Sequence, residues 1–189
     1  MSFTTSSARY TRPAIYLHWI LAALILAQLV VGWMFHEVLE GESRASWFEW
    51  HKTLGVTILL LSLGRLAWRL LHRPPGYPAT MPGWERAAAW LNHWLFYVLM
   101  LALPLTGYAA VSTGRRALEV GYMTIVGGVR LPLLPLPRDL HHWLEESHEF
   151  LVWSMVALLA LHVGAVLKHL LIDRDDIPGG MLAFFRRRA

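Results

Sequence analysis

Residues 143–172 read WLEESHEFLVWSMVALLALHVGAVLKHLLI, a long apolar stretch that carries two histidines fourteen positions apart, His148 and His162. Fourteen residues of α-helix rise about 21 Å and turn only about 40° short of four full turns. Both imidazoles are therefore predicted to lie on nearly the same face of one helix, one toward each side of a hydrocarbon core about 30 Å thick. The stretch predicts two side-chain sites stacked along a membrane-spanning helix.

Three more apolar segments precede this one. The four predicted spans run over about 14–35, 47–71, 84–111 and 143–172. The first lacks a small-residue cleavage site, so we expect a retained helix and not a removed signal peptide. The longest connection, residues 112–142, is broken by glycine and proline and is expected to lie on the membrane surface. These features predict an all-α membrane protein, a four-helix up-down-up-down transmembrane bundle in a single domain over residues 1–189.

The basic residues lie beside the apolar spans, which favours a role in membrane orientation over nucleic-acid binding. The larger group is predicted on one side of the membrane: Arg9, Arg12, Arg65, Arg69, Arg73, Arg86, Lys168, Arg174, Arg186, Arg187 and Arg188. The smaller group is predicted on the other: Arg44, Lys52, Arg115, Arg116, Arg130 and Arg138. The positive-inside rule then predicts that both termini are cytoplasmic.

The chain contains no cysteine. Iron–sulfur clusters, thiolate-bound zinc and structural disulfides are therefore excluded. The 10 histidines and 7 methionines remain as candidate metal ligands.

Four histidines fall at two matching depths in the predicted bundle. His18 pairs with His162 near the cytoplasmic side, and His51 pairs with His148 near the outer side. Two imidazoles from different helices, on opposite faces of a porphyrin, form a six-coordinate b-type haem that has no open position for oxygen and carries electrons. The pattern predicts two haem b groups, with these four side chains as the iron ligands.

Other interpretations of the histidines remain open at this point. A single histidine in a span is often a polar residue satisfied by a neighbouring helix, which would leave a haem-free structural protein. Zinc or copper competes for a histidine-rich interior, but two histidines per level leave a tetrahedral ion short of ligands. His169 is the main competitor of His162 as the inner ligand, and His93 has no predicted partner at its depth.

An arginine accompanies the predicted inner site. Arg65 follows His51 by the same fourteen residues that separate His148 from His162, so it is expected at the inner haem level. A guanidinium suits a haem propionate, and the alternative is that Arg65 reaches the cytoplasmic interface and sets topology alone. For Arg69, one turn farther along the span, the interfacial role is the favoured interpretation.

The order of these motifs resembles the bacterial cytochrome b561 family over nearly the whole chain. The matching segments are YLHW at 16–19, WHKTLG at 50–55, GRLAWR at 64–69 and LPLTGY at 103–108, followed by the two histidines of the last span. The resemblance implies a di-haem protein of the bacterial inner membrane that exchanges electrons with the quinone pool. Family members include a superoxide oxidase, which passes an electron from superoxide at the periplasmic face to ubiquinone.

The leading functional hypothesis is therefore a self-contained oxidoreductase that moves electrons from a periplasmic donor such as superoxide to quinone. We expect membrane lipid, quinone and the donor as its partners, and no nucleic acid. The alternative is a membrane cytochrome subunit that serves a separate periplasmic redox partner, such as a hydrogenase or a dehydrogenase. The resemblance allows it because the membrane subunits of these enzymes share the same four-helix, haem-binding architecture.

Overall fold

The computed structural model describes residues 10–78, 80–174 and 179–182. Four long helices dominate it: α1 (Arg12–Trp33), α2 (Gly41–Leu71), α3 (Gly83–Thr113) and α5 (His141–Leu167). Wider π-helical turns extend α1 through Met34–Val38 and α5 through Lys168–Asp173. The described residues also form two short α-helices, α4 (Arg115–Val120) and α6 (Gly179–Leu182), and a single turn of 3-10 helix at Arg138–Leu140.

All four long helices are apolar enough to cross a membrane. The spanning segments are Arg12–Val38, Gly41–Leu71, Gly83–Thr113 and Arg138–Asp173, with mean hydropathy between 1.6 and 2.3. The four-helix membrane fold predicted from the sequence is thereby confirmed. α2 begins six residues before the predicted span because its first turns, Gly41–Ser46, are polar: hydropathy detects the apolar part of a helix and misses its polar ends.

The helices alternate in direction, so their ends form two layers. The basic end holds the starts of α1 and α3 and the end of α2, where Trp68 Nε1 donates to Thr11 Oγ1 at 2.9 Å. Lys168 joins Glu85 there at 3.0 Å. The opposite end holds the other helix termini, including Thr113 and His141. We call it the hairpin end, because the connection between these two residues forms a β-hairpin there. Of the basic residues used to predict orientation, Arg9, Arg186, Arg187 and Arg188 lie outside the described residues.

The long connection, residues 112–142, is folded. It contains α4 and an antiparallel pair of strands, β1 (Tyr122–Ile125) and β2 (Val129–Pro132), which the sequence analysis did not predict. Gly127 and Gly128 both have positive φ and make the turn. Val126 N donates to Thr53 Oγ1 at 2.9 Å, which fixes the hairpin to the first half of α2.

The interior of the bundle is apolar between its two ends. Leu21, Ile58, Tyr97, Met155 and Leu158 belong to one buried cluster. Ile58 stands midway between His51 and Arg65, and Met155 midway between His148 and His162. Large apolar side chains cover the outside as well, such as Phe150 with 72% of its surface exposed. An apolar exterior of this kind is what a hydrocarbon environment requires.

Candidate functional site

The hairpin-end pair consists of His51 on α2 and His148 on α5. Their ring centroids lie 6.2 Å apart with an interplanar angle of 82°. α5 packs closely on α3 and lies farther from α1 and α2, so these rings reach across the wider gap in the bundle. The structure therefore brings together the two histidines that the sequence analysis paired at the outer level.

The protein backbone holds the ring of His148. Its Nδ1 lies 3.0 Å from the carbonyl oxygen of Leu103 and 3.2 Å from Thr106 Oγ1. A carbonyl oxygen only accepts, so Nδ1 must carry the hydrogen, and the lone pair is left on Nε2. A hydrogen bond of this type is how proteins orient a histidine that binds a metal through its other nitrogen.

His51 is held by Gln28 on α1. The Gln28 amide nitrogen lies 3.0 Å from the backbone oxygen of His51 and 3.3 Å from its Nε2. Nδ1 of the same ring is buried without a hydrogen-bond partner, as is Gln28 Oε1. Because an amide nitrogen only donates, Nε2 of His51 is the acceptor in this contact and Nδ1 carries the ring hydrogen. Buried polar atoms without partners are uncommon in folded proteins.

Two glycines make room for these rings. A Cβ at Gly32 would lie 3.3 Å from His51 Cε1, and a Cβ at Gly107 would lie 3.0 Å from His148 Cε1. Each glycine therefore lets its helix approach an imidazole closely. A Cβ at Gly55, the last residue of the WHKTLG segment, would instead lie 3.6 Å from the amide nitrogen of Gln28.

The basic-end pair consists of His18 on α1 and His162 on α5. Their ring centroids lie 6.3 Å apart at an angle of 57°. His162 Nδ1 lies 3.2 Å from Asn92 Oδ1 on α3. With the amide oxygen as acceptor, this nitrogen carries the hydrogen and Nε2 is left free. The predicted inner pair is thus also brought together, at nearly the same separation as the first.

The two other histidines considered for this level have different surroundings. The ring of His93 lies 5.9 Å from that of His162, so the expectation that His93 has no neighbour at its depth is wrong. Its Nδ1 is 3.4 Å from the Tyr77 hydroxyl. His169 is buried in the last turn of the span and faces Asp173, with Nδ1 to Oδ2 at 3.2 Å. On α5, His162 makes the ring contact with His18.

Arg65 reaches the basic-end pair, as its spacing predicted. Its Nη1 donates to the Ala14 carbonyl at 3.2 Å, and its Nη2 lies 3.3 Å from His18 Nδ1. It also lines a cavity that opens toward the basic end, beside Tyr97 and Arg69. Within the described residues, Arg65 forms no ion pair with a carboxylate.

Several residues that hold the site were not found by sequence reasoning. Gln28, Asn92 and Thr106 each contact a paired histidine from a different part of the bundle. Nothing in a single sequence distinguishes them from other polar residues in a span. For Gln28, helical spacing was an available signal. It lies ten residues, or nearly three turns, after His18 on the same helix, so both side chains lie on the same side of that helix.

Comparison with known proteins identifies the family of this chain. The sequence profile of prokaryotic cytochrome b561 matches residues 9–183. The chain is 28% identical over 190 residues to cytochrome b561 homolog 2 of Escherichia coli strain K12, covering 96% of this chain and 95% of the relative. Cytochrome b561 homolog 1 of the same organism is 27% identical over 175 residues, 89% of this chain and 93% of the relative.

A third relative is named for an activity. The probable superoxide oxidase CybB of Yersinia pestis is 28% identical over 174 residues, which cover 89% of this chain and 92% of the relative. Because the family profile spans almost the whole chain and all four membrane helices, the chain belongs to the prokaryotic cytochrome b561 family.

Proposed function

We propose that this protein binds two haem b groups, through His51 and His148 at the hairpin end and through His18 and His162 at the basic end, and passes electrons to a quinone. Membership of the cytochrome b561 family implies a membrane protein that binds b-type haem. The observation that carries the finer proposal is the repetition of one histidine arrangement at both ends of the bundle.

The spacing of the rings fits a metal between them. A first-row metal held by one nitrogen of each ring at about 2.0–2.1 Å places the ring centroids about 6 Å apart. The separations are 6.2 and 6.3 Å. The free Nε2 atoms of His148 and His162 supply neutral nitrogen ligands, and His51 would supply a third through Nε2 once the Gln28 amide gives up its contact with that nitrogen. A bis-histidine haem supplies one-electron transfer when bound and leaves no position for oxygen.

Arg65 is proposed to hold a propionate of the haem at the basic end. A guanidinium only donates, so its contact with His18 Nδ1 requires that nitrogen to accept. If His18 binds iron through Nε2, Nδ1 carries the hydrogen, and the two donors then repel each other. Arg65 must turn away from the ring, and a carboxylate on the bound group satisfies it.

Superoxide is the proposed electron donor, at the hairpin end. Support comes from the name of the Yersinia pestis relative, together with Arg115 and Arg116, which form no ion pair with an acid within the described chain. Exposed cations of this kind attract a small anion. We assign the hairpin end to the periplasm and both termini to the cytoplasm of the bacterial inner membrane.

The reaction balances with these reactants alone. Two superoxide anions each give up one electron and leave as dioxygen, and the quinone takes the two electrons with two protons to become a quinol. The separation of the two histidine pairs along α5 lets donor and acceptor react at opposite ends. Ile58 and Met155 between them keep water and superoxide out of the apolar middle.

Stopped-flow mixing of the purified oxidised protein with superoxide tests the donor. We expect the reduced b-type α-band to appear faster than the uncatalysed background, because the anion reaches the hairpin-end site directly. Superoxide dismutase in the syringe should abolish the signal, and ubiquinone should restore the oxidised spectrum. Haem reduction no faster than background would reject superoxide, and a stoichiometric periplasmic redox protein that co-purifies would then identify the donor.

A further inference from the structure

A cavity with an unbalanced positive charge opens at the basic end, between the start of α1 and the end of α2. Its lining includes three guanidiniums, those of Arg65, Arg69 and Arg73, and contains no carboxylate. Across the described ranges 10–78, 80–174 and 179–182, none of the three forms an ion pair with an acid. Arg65 and Arg69 lie one turn apart on α2, and like charges at this spacing repel, so the cavity favours an anion.

Depth separates the three arginines. Arg65 lies 3.3 Å from His18 and belongs to the histidine level. Arg69 follows one turn later, roughly 6 Å farther along α2, and Arg73 lies just beyond the end of the helix. α2 ends at Leu71, and Arg73 is followed by Pro74 and Pro75 of the same cavity. Arg69 and Arg73 therefore lie where α2 leaves the hydrocarbon core and reaches the lipid headgroups.

Aromatic side chains shape the wall of the cavity. Trp68 stacks on His72 with centroids 3.9 Å apart and an interplanar angle of 9°. Trp68 Nε1 donates at 2.9 Å to the hydroxyl of Thr11, the residue just before α1, which fixes this wall to the neighbouring helix. Tyr10 also lines the cavity, and burial raises the pKa of its hydroxyl, which stays protonated and able to donate. Tryptophan and tyrosine in this position are typical of the membrane interface.

We propose that Arg69 and Arg73, with the Tyr10 hydroxyl, bind the phosphate of an anionic phospholipid headgroup. Paired guanidiniums match the oxygens of a phosphate, and basic pockets between helices on the cytoplasmic side take anionic headgroups. The acyl chains would run along the exposed apolar faces of α1 and α2, where Leu70 and Leu71 are 67% and 78% exposed. Free phosphate shares the headgroup's chemistry but would gain nothing from those faces.

Native mass spectrometry of the delipidated, haem-loaded protein titrated with phosphatidylglycerol tests this site. We expect Arg69→Gln/Arg73→Gln to weaken binding about tenfold or more, through the loss of charge-assisted hydrogen bonds, with two haems retained. Arg115→Gln/Arg116→Gln removes the same charge at the opposite end and should bind like the parent. Arg69→Lys/Arg73→Lys keeps the charge and a folded interface, and should weaken binding less than the glutamine pair.

Each contrary result has a definite meaning. Equal affinity of the parent and both glutamine pairs overturns the site. Phosphatidylcholine that binds as tightly as phosphatidylglycerol overturns the role of headgroup charge. Inorganic phosphate that displaces the lipid at equal concentration reassigns the cavity to free phosphate, and loss of a haem in Arg69→Lys/Arg73→Lys reassigns the pair to a haem carboxylate.

Discussion

His148→Ala is expected to purify with about one haem per chain in place of two. The substitution removes one of the two ring nitrogens at the hairpin-end pair, where the partner ring of His51 lies 6.2 Å away. In this variant a haem at the hairpin end would be held by one imidazole in place of two, so it should be lost on purification. The basic-end pair lies about 21 Å along α5 and shares no ligand with this one, so its haem should stay. Pyridine haemochrome absorbance per mole of protein measures the loss.

A histidine on the same helix supplies the control. His142 is exposed and faces Glu146 at 3.2 Å. His142→Ala should therefore retain both haems and the parent redox titration. Two full haems in His148→Ala would contradict the assignment of this residue as a ligand, and loss of both haems in His142→Ala would show that the helix tolerates no change.

His162→Ala should remove the other haem, and His169→Ala should not. The ring of His162 lies 6.3 Å from that of His18 and has its Nδ1 anchored by Asn92, which leaves Nε2 for the metal. His169 is instead directed to Asp173 at the end of the span. We therefore expect about one haem per chain in the first variant and two in the second, with the retained haem of His162→Ala titrating as the hairpin-end centre.

The reverse pattern would identify His169 as the inner ligand. If His162→Ala keeps two haems and His169→Ala keeps one, the bundle must rotate its last turns relative to the structure. Electron paramagnetic resonance of the oxidised variants adds a second readout, because each low-spin centre gives its own signal and the missing one identifies the pair that was broken.

The membrane fold was largely predictable because its signals are local and strong. Long apolar runs fix the number of spans, and short connections fix their alternation. The pairing by depth followed from helix geometry, since His148 and His162 share a rigid rise of 1.5 Å per residue. The structure brings each pair together, and the roles of these four residues as iron ligands remain predictions.

The details that the sequence did not predict depend on contacts between distant segments. The β1–β2 hairpin in the long connection is short, and its strands have weak alternation, but it gains support from Thr53 on α2. The contact between the rings of His93 and His162 was not predicted, because it depends on how α3 and α5 are rotated about their axes. The sequence does not determine these rotations. Gln28 and Gly107 act by contact with a histidine across the bundle, and such contacts leave no local pattern.

The number of haems per chain tests the central claim most directly. The purified protein should contain two b-type haems per polypeptide, measured as pyridine haemochrome against quantitative amino-acid analysis, with two low-spin centres in the oxidised spectrum. Two bis-histidine sites at opposite ends of one bundle require that value. A ratio of one would mean that only one histidine pair binds haem, and the electron path from the hairpin end to the basic end would be wrong.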